Sequence, residues 1–227
     1  MNDYSIFAIT NNGELMTFDL KVHSLVTVNE TPGISFKSIS CGHDFTLALT
    51  RDCRVFSFGF GLHGQLGLNS LDDAEVFTLI DDLKHVRITD ISTGGWHSLA
   101  LSDEGDVYSW GWNNFGQVGL PSHSLRETEI SQEDSMVTNA QLSPYPLEFP
   151  KDDSFIERIC CGSRHSACLT SKGNVYTFGW NKFGQLGRET PHSVEDDSPR
   201  SSDEIISIQN ITAKKIFCSF WATCVEG

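Results

Sequence analysis

The chain of 227 residues is 39% hydrophobic and carries 30 acidic against 16 basic side chains, a formal net charge of −14 at pH 7. That balance argues against the clustered Lys and Arg surface that nucleic-acid binding requires, so no direct nucleic-acid partner is expected; it fits solubility, or attraction to a basic partner such as a histone. The length suits one β domain with a substantial core, read here as a single domain over residues 1–227.

Residues 1–18 show neither a cationic n-region nor a long apolar run, so they read as no signal peptide and no membrane span. Instead residues 4–18 give strand, Asn11-Asn12-Gly13 turn, and strand. A longer unit follows at residues 36–67 and returns without a gap at 88–119 and 156–187. Gly42, Gly94 and Gly162 hold one register, and Gly59, Gly111 and Gly179 another. Self-similarity of this kind marks a repeat architecture. Residues 214–227 match the first two strands of the unit, so the chain carries partial repeats at both ends.

Each unit reads as three short strands, a, b and c. In the middle copy they fall at 90–93, 97–101 and 107–110, with a polar Asp103-Glu104-Gly105-Asp106 turn between b and c. The first copy puts Cys53 where the others have Gly, which predicts a different turn type there. Strand c carries aromatic residues at period two: Tyr108, Trp110 and Trp112; Phe56, Phe58 and Phe60; Tyr176, Phe178 and Trp180. That period places each set on one face, and we expect these faces to be core. After strand c, Asn113 and Asn181 stand where Gly61 stands, a slot expected to be left-handed. Gln65, Gln117 and Gln185 are expected to hydrogen-bond loop backbone.

These residues, above all G-x-x-H-S-x-A-L followed by G-x-V-Y-S-W-G-x-N-x-x-G-Q-L-G, resemble the regulator of chromosome condensation repeat family. The resemblance implies an all-β fold, a β-propeller. The copies and the two ends give about four blades, where the family's usual ring has seven. The ring is then open, closed by pairing of the chain ends, or completed by a partner; a ring so closed has no exposed edge. Gly94-Gly95-Trp96-His97-Ser98, Trp110-Gly111-Trp112-Asn113 and Cys161-Gly162-Ser163-Arg164-His165 are most similar to the small family member that partners a JmjC-type lysine demethylase. That implies a non-enzymatic interaction protein without a cofactor of its own. It would be nuclear and chromosomal, with a cytoplasmic pool left open, and act in chromosome segregation or repeat-DNA repression. Iron and 2-oxoglutarate would belong to the partner, and histones are a further candidate partner. The rival reading is guanine nucleotide exchange on a Ran-like small GTPase, which would need a protruding wedge; no insertion interrupts strands a to c. A third is an accessory propeller of a ubiquitin ligase or the cytoskeleton.

Two polar stretches depart from the unit, 122–153 and 188–204. The second carries Glu195, Asp196 and Asp197, followed by Ser198-Pro199, a candidate phosphorylation site. Seven cysteines occur with no C-x-x-C spacing, which fits a reducing compartment and no zinc site. Cys41, Cys161 and Cys218 share one register and read as small core residues. Gly59-x-Gly61-x-x-Gly64 spells a dinucleotide fingerprint, but no helix follows and the repeat accounts for the glycines. His97-Ser98 and His165-Ser166 hint at a nucleophile pair, yet the first copy has Phe45-Thr46 there and no carboxylate is fixed nearby, so they read as structural. No catalytic, metal or cofactor residue is therefore assigned. Trp96, Arg164 and Trp221 align with one another and with Asp44 in the a–b turn. Shared residues serve the fold, so these divergent ones are the candidate partner contacts, together with Glu195, Asp196 and Asp197. Gly42, Gly94, Gly162, His97, His165, Trp110, Gly111 and Gly179 are assigned to the repeat framework.

Overall fold

Short alternating runs, cut by Gly, Asn and Asp turns, become strands along the whole chain. The computed structural model describes residues 6–19, 21–28, 33–120, 139–153, 155–188 and 201–227, and all of its sheets are antiparallel. A first sheet holds β1 (Phe7–Ile9), β2 (Leu15–Asp19) and β3 (Ser24–Thr27). Three four-stranded sheets follow: β4 (Phe36–Cys41), β5 (Phe45–Thr50), β6 (Val55–Gly59) and β7 (Ala74–Leu79); β8 (Ile88–Thr93), β9 (His97–Ser102), β10 (Val107–Trp112) and β11 (Ala140–Pro146); β12 (Ile156–Cys161), β13 (His165–Thr170), β14 (Val175–Trp180) and β15 (Ser201–Ser207). A two-stranded sheet of β16 (Lys215–Cys218) and β17 (Thr223–Glu226) ends the chain. These are blades of a β-propeller, each strand pairing with its sequence neighbour. Among the described residues the helical turns are two short 3-10 pieces, Asp81–Leu83 and Lys151–Asp153, and no helix is long and apolar enough to cross a membrane.

The core lies between blades. Leu15, Phe36, Phe56 and Phe77 fill the gap between the first and second sheets. Leu47, Leu49, Leu66, Ile88 and Trp110 fill the next. Leu99, Val107, Ile156 and Phe178 form the third layer, and Ala167, Leu169, Ile208 and Ile216 the fourth. Full burial of each such aliphatic side chain is worth about 1.5–3 kcal/mol. Because every blade covers the apolar face of its neighbour, the stability of one depends on the next.

Several expectations need correction. Each full blade has four strands, not three. The outer strand comes from sequence that does not repeat: β11 lies inside the 122–153 stretch and β15 begins inside 188–204. As edge strands they tolerate what a central strand does not, such as Pro144 and Pro146 on β11. The chain ends do not share a blade: β1 pairs with β2, β17 pairs with β16, and these are separate sheets. The first hairpin is extended by its own β3, which pairs along β2. Cys53 keeps the same left-handed turn as the glycines, with φ of 68° against 84° at Gly105 and 85° at Gly173. Its N–H bonds Thr50 O, as those of Gly105 and Gly173 bond Ser102 and Thr170. Asn113 and Asn181 are not among the positive-φ residues. Their amides instead tie the loop: Asn113 Oδ1 accepts from Val118 N at 3.0 Å while Nδ2 donates to Leu120 O at 2.9 Å, and Asn181 repeats this with Leu186 and Arg188. Where Gly61 lacks that side chain, its own N–H bonds Asp73 Oδ1 at 2.9 Å. The third rung of the aromatic ladder splits: Phe60 is 53% exposed and Trp112 half-buried, while Trp180 is buried as expected. Cys41 is exposed, whereas Cys161 and Cys218, half-buried, pack against the edge of the core.

Candidate functional site

The a–b turns of consecutive blades line up on one face. His43 N–H donates to Gly95 O, Gly95 N–H to Ser163 O, and Ser163 N–H to Phe220 O, each at 3.0 Å. This chain of backbone bonds joins four sheets at one register. The position after each, Asp44, Trp96, Arg164 and Trp221, therefore projects from equivalent points.

Framework residues hold these turns in place. A β-carbon on Gly94 or Gly162 would collide with the ring of His97 or His165, and one on Gly42 with the Phe45 ring. Gly111 and Gly179, at φ of 102° and 108°, sit at the register shifts between β10 and β11 and between β14 and β15, where a β-carbon would collide with Trp96 O and Arg164 O. His97 and Ser166 form an interblade link: His97 Nε2 lies 2.9 Å from Ser166 Oγ, and that hydroxyl donates to Gln117 O at 2.8 Å. The hydroxyl proton is thus committed, so Nε2 is the protonated ring nitrogen. Both residues are 0% exposed. Burial, reinforced by His165, lowers the His97 pKa to about 3 and keeps it neutral. A neutral, inaccessible imidazole with no carboxylate on Nδ1 is a structural bond, not a nucleophile's base. Gln65, Gln117 and Gln185 each accept loop N–H groups through Oε1, from His63, Phe115 and Phe183 at 2.8, 2.9 and 2.9 Å.

On this frame lies a continuous aromatic band. Trp96 packs edge-on against His43, His63 and Trp112 at 5.1, 5.3 and 5.5 Å between ring centroids. Trp112 meets Phe115 at 5.3 Å, and Trp180 meets Phe183 and Trp221 at 5.3 and 5.1 Å. Arg164 bridges the two halves, its Cζ 4.9 Å from the Phe115 ring, 5.3 Å from Trp180 and 5.8 Å from Trp112. The band is rimmed by Phe183, Phe220 and Trp221, which are 65%, 61% and 40% exposed. Burial among these rings lowers the pKa of His63 against the pull of Asp44.

Donors on this face outnumber acceptors. In the first copy Asp44 accepts from Gln65 Nε2 at 3.3 Å and Trp96 Nε1 at 3.1 Å. Its place is taken by Trp96 and Arg164 in the next two, which bring no carboxylate. Gln117 Nε2, Gln185 Nε2, Trp180 Nε1 and Arg164 Nε are accordingly buried without a hydrogen-bond partner. Buried donors left unmet each cost about 1–3 kcal/mol.

Trp96, Arg164 and Trp221 are thus brought together through Trp112, Phe115 and Trp180. Glu195, Asp196 and Asp197, and Ser198-Pro199, lie outside the described residues. Among the described residues, Asn113 bonds Leu120 O and Asn139 O, and Asn181 bonds Arg188 O, close to the band. Sequence reasoning missed Phe115, Phe183 and Phe220 and placed Trp112 in the core. The readable signal was divergence: His63, Phe115 and Phe183 occupy one slot between shared residues, as Asp44, Trp96 and Arg164 do.

Residues 52–101, 104–169 and 172–224 match the family described as regulator of chromosome condensation (RCC1) repeat, and a second description of the same repeat matches 36–65, 88–117 and 156–185. The chain is similar to RCC1 domain-containing protein 1 of Homo sapiens, 33% identical over 217 residues, 86% of this chain and 57% of that protein. It is also similar to the ultraviolet-B receptor UVR8 of Arabidopsis thaliana, 32% identical over 68% of this chain and 43% of the receptor. The chain spans about half the length of these relatives. Among solved structures, Prp20p from Saccharomyces cerevisiae, studied for its binding to Gsp1p and histones, matches with a TM-score of 0.77 at 22% identity, over 96% of this chain and 52% of that one.

Proposed function

Because this chain belongs to the regulator of chromosome condensation repeat family, we propose that it is a non-enzymatic interaction propeller which docks a protein segment on its aromatic–arginine face. The observation that carries this reading is the band itself: exposed Phe183, Phe220 and Trp221 around an Arg164 stacked on three rings, with unmet donors beneath. Trp, Tyr and Arg are the residues that dominate interface energetics. Basic side chains of the segment would complement the net charge of −14.

In this reading the partner is a JmjC-type lysine demethylase, with which the protein acts at chromatin in the nucleus, as implied by the resemblance that Gly94-Gly95-Trp96-His97-Ser98 and Cys161-Gly162-Ser163-Arg164-His165 carry. The test is surface-immobilised kinetics with the purified demethylase. Wild type is expected to bind, and Trp221→Ala to dissociate about 10-fold faster or more, the equivalent of about 1.4 kcal/mol. Wild-type rates in Trp221→Ala and Arg164→Ala would place the interface elsewhere. No binding to the demethylase, with binding to a Ran-like GTPase, would replace this partner by the exchange-factor reading.

A further inference from the structure

Cys160 and Cys218 meet across the gap between the last two sheets. Cys160 lies on β12 and Cys218 on β16, the first strands of neighbouring blades. Their sulfurs are 2.7 Å apart although 58 residues separate them in sequence. Both residues are half-buried. The neighbouring thiols are not so disposed. Cys168 is fully buried, and burial pushes its thiol well above the usual range. Cys161 points its sulfur at Ser92 O, 3.6 Å away, and burial raises it to about 12. Cys218 is the exception: the hydrogen bond from Cys160 and the adjacent His165 lower its thiol, while the same bond raises that of Cys160. One sulfur is therefore primed as a thiolate with a second thiol in contact, the arrangement of an attacking and a resolving cysteine.

We propose that Cys160 and Cys218 form an oxidative modification site, at which hydrogen peroxide closes a disulfide that fastens the β16–β17 hairpin to the preceding blade. The Cys218 thiolate attacks one peroxide oxygen. An S–O bond forms, the O–O bond breaks, and the departing hydroxide takes a proton to leave as water. Cys160 sulfur then attacks Cys218 sulfur: the S–S bond forms, the S–O bond breaks, and hydroxide leaves with the Cys160 proton as a second water. The two thiols together lose two electrons and the peroxide gains them. The hairpin ends in the turn that carries Phe220 and Trp221, so the bond would hold that rim of the aromatic band against Trp180.

The test treats the purified chain with hydrogen peroxide, blocks remaining thiols, and digests it with trypsin without reductant. A linked peptide joining residues 159–164 to 216–227 is expected in wild type, in Cys161→Ser and in Cys224→Ser, and is expected to be lost in Cys160→Ser and Cys218→Ser and on adding dithiothreitol. Oxidised wild type is expected to melt about 5 °C or more above its reduced form, since the bond closes a long loop. Absence of the linked peptide from oxidised wild type overturns the proposal, and so does its persistence in Cys160→Ser or Cys218→Ser. An unshifted melting temperature in a fully linked sample would overturn the fastening of the hairpin.

Discussion

Replacing Trp110 by Ala isolates what holds one blade to the next. Trp110 is 0% exposed and packs with Leu66, Ile88 and Ala100 between the second and third sheets. Its Nε1 donates to Gln65 O at 2.9 Å, and Gly67 lies flat against the indole. Deleting a buried Trp side chain costs about 3–5 kcal/mol through lost transfer energy and the cavity left behind. Losing the hydrogen bond adds little, because Gln65 O still accepts from Ser98 Oγ at 3.2 Å. The expected loss is thus about 4 kcal/mol, a large part of the roughly 5–15 kcal/mol available to a folded domain. Urea titration followed by far-ultraviolet circular dichroism measures it without relying on tryptophan emission. Trp110→Phe, which keeps most of the volume and loses the donor, should cost about 1–2 kcal/mol. A loss below about 1 kcal/mol for Trp110→Ala would refute interblade packing as the source of stability.

Acid should destabilise the fold through His97. Its pKa falls from 6.5 to about 3 on folding, so the unfolded chain binds the extra proton between those values. The stability is present above pH 6.5 and is lost as pH falls toward 3, with a slope from this group of up to about 1.4 kcal/mol per pH unit. His97→Phe, the residue type at Phe45 in the first copy, should flatten that slope in melts from pH 7 to 4; an unchanged slope would contradict burial of a neutral imidazole. Gly94→Ala should destabilise by about 1–3 kcal/mol, because the added carbon meets the His97 ring; a neutral effect in the same titration would mean the turn can shift. Cys53→Gly should be neutral or stabilise by up to about 1 kcal/mol, since it relieves a left-handed φ of 68°. A marked destabilisation would show that the Cys53 side chain is needed. Neutralising Glu195, Asp196 and Asp197 together should slow association with the demethylase and weaken its salt dependence while leaving dissociation unchanged; an unaltered association rate would remove those residues from recognition.

Much of the architecture was legible because it repeats. Gly42, Gly94 and Gly162 fix a turn, period-two aromatics fix strand c, and the Gln65 register fixes the loop that follows. The outer strands were not legible, because β7, β11 and β15 are edges paired on one side only, and little constrains their side chains to a shared pattern. The left-handed slot was misplaced because Asn serves two purposes: at Asn113 and Asn181 its amide, not its tolerance of positive φ, is what the loop uses. Cys53 misled in the opposite sense, keeping glycine's backbone with a side chain attached. The candidate site was half visible. Trp96, Arg164 and Trp221 stood out by diverging within an aligned turn. Their joining into one band required Trp112, Phe115 and Trp180, and period two alone cannot tell the last rung of a ladder at the blade's rim from a rung inside it.

The central claim is that partners dock on the a–b turn face, and hydrogen exchange of the chain alone and in complex with the demethylase tests it most directly. Protection on binding is expected in the peptides containing Gly94–His97, Gly162–His165 and Ser219–Ala222, with no change in β7 or β11 on the outer edge. Protection confined to those outer strands, with the Trp96, Arg164 and Trp221 turns exchanging as in the free chain, would contradict the account.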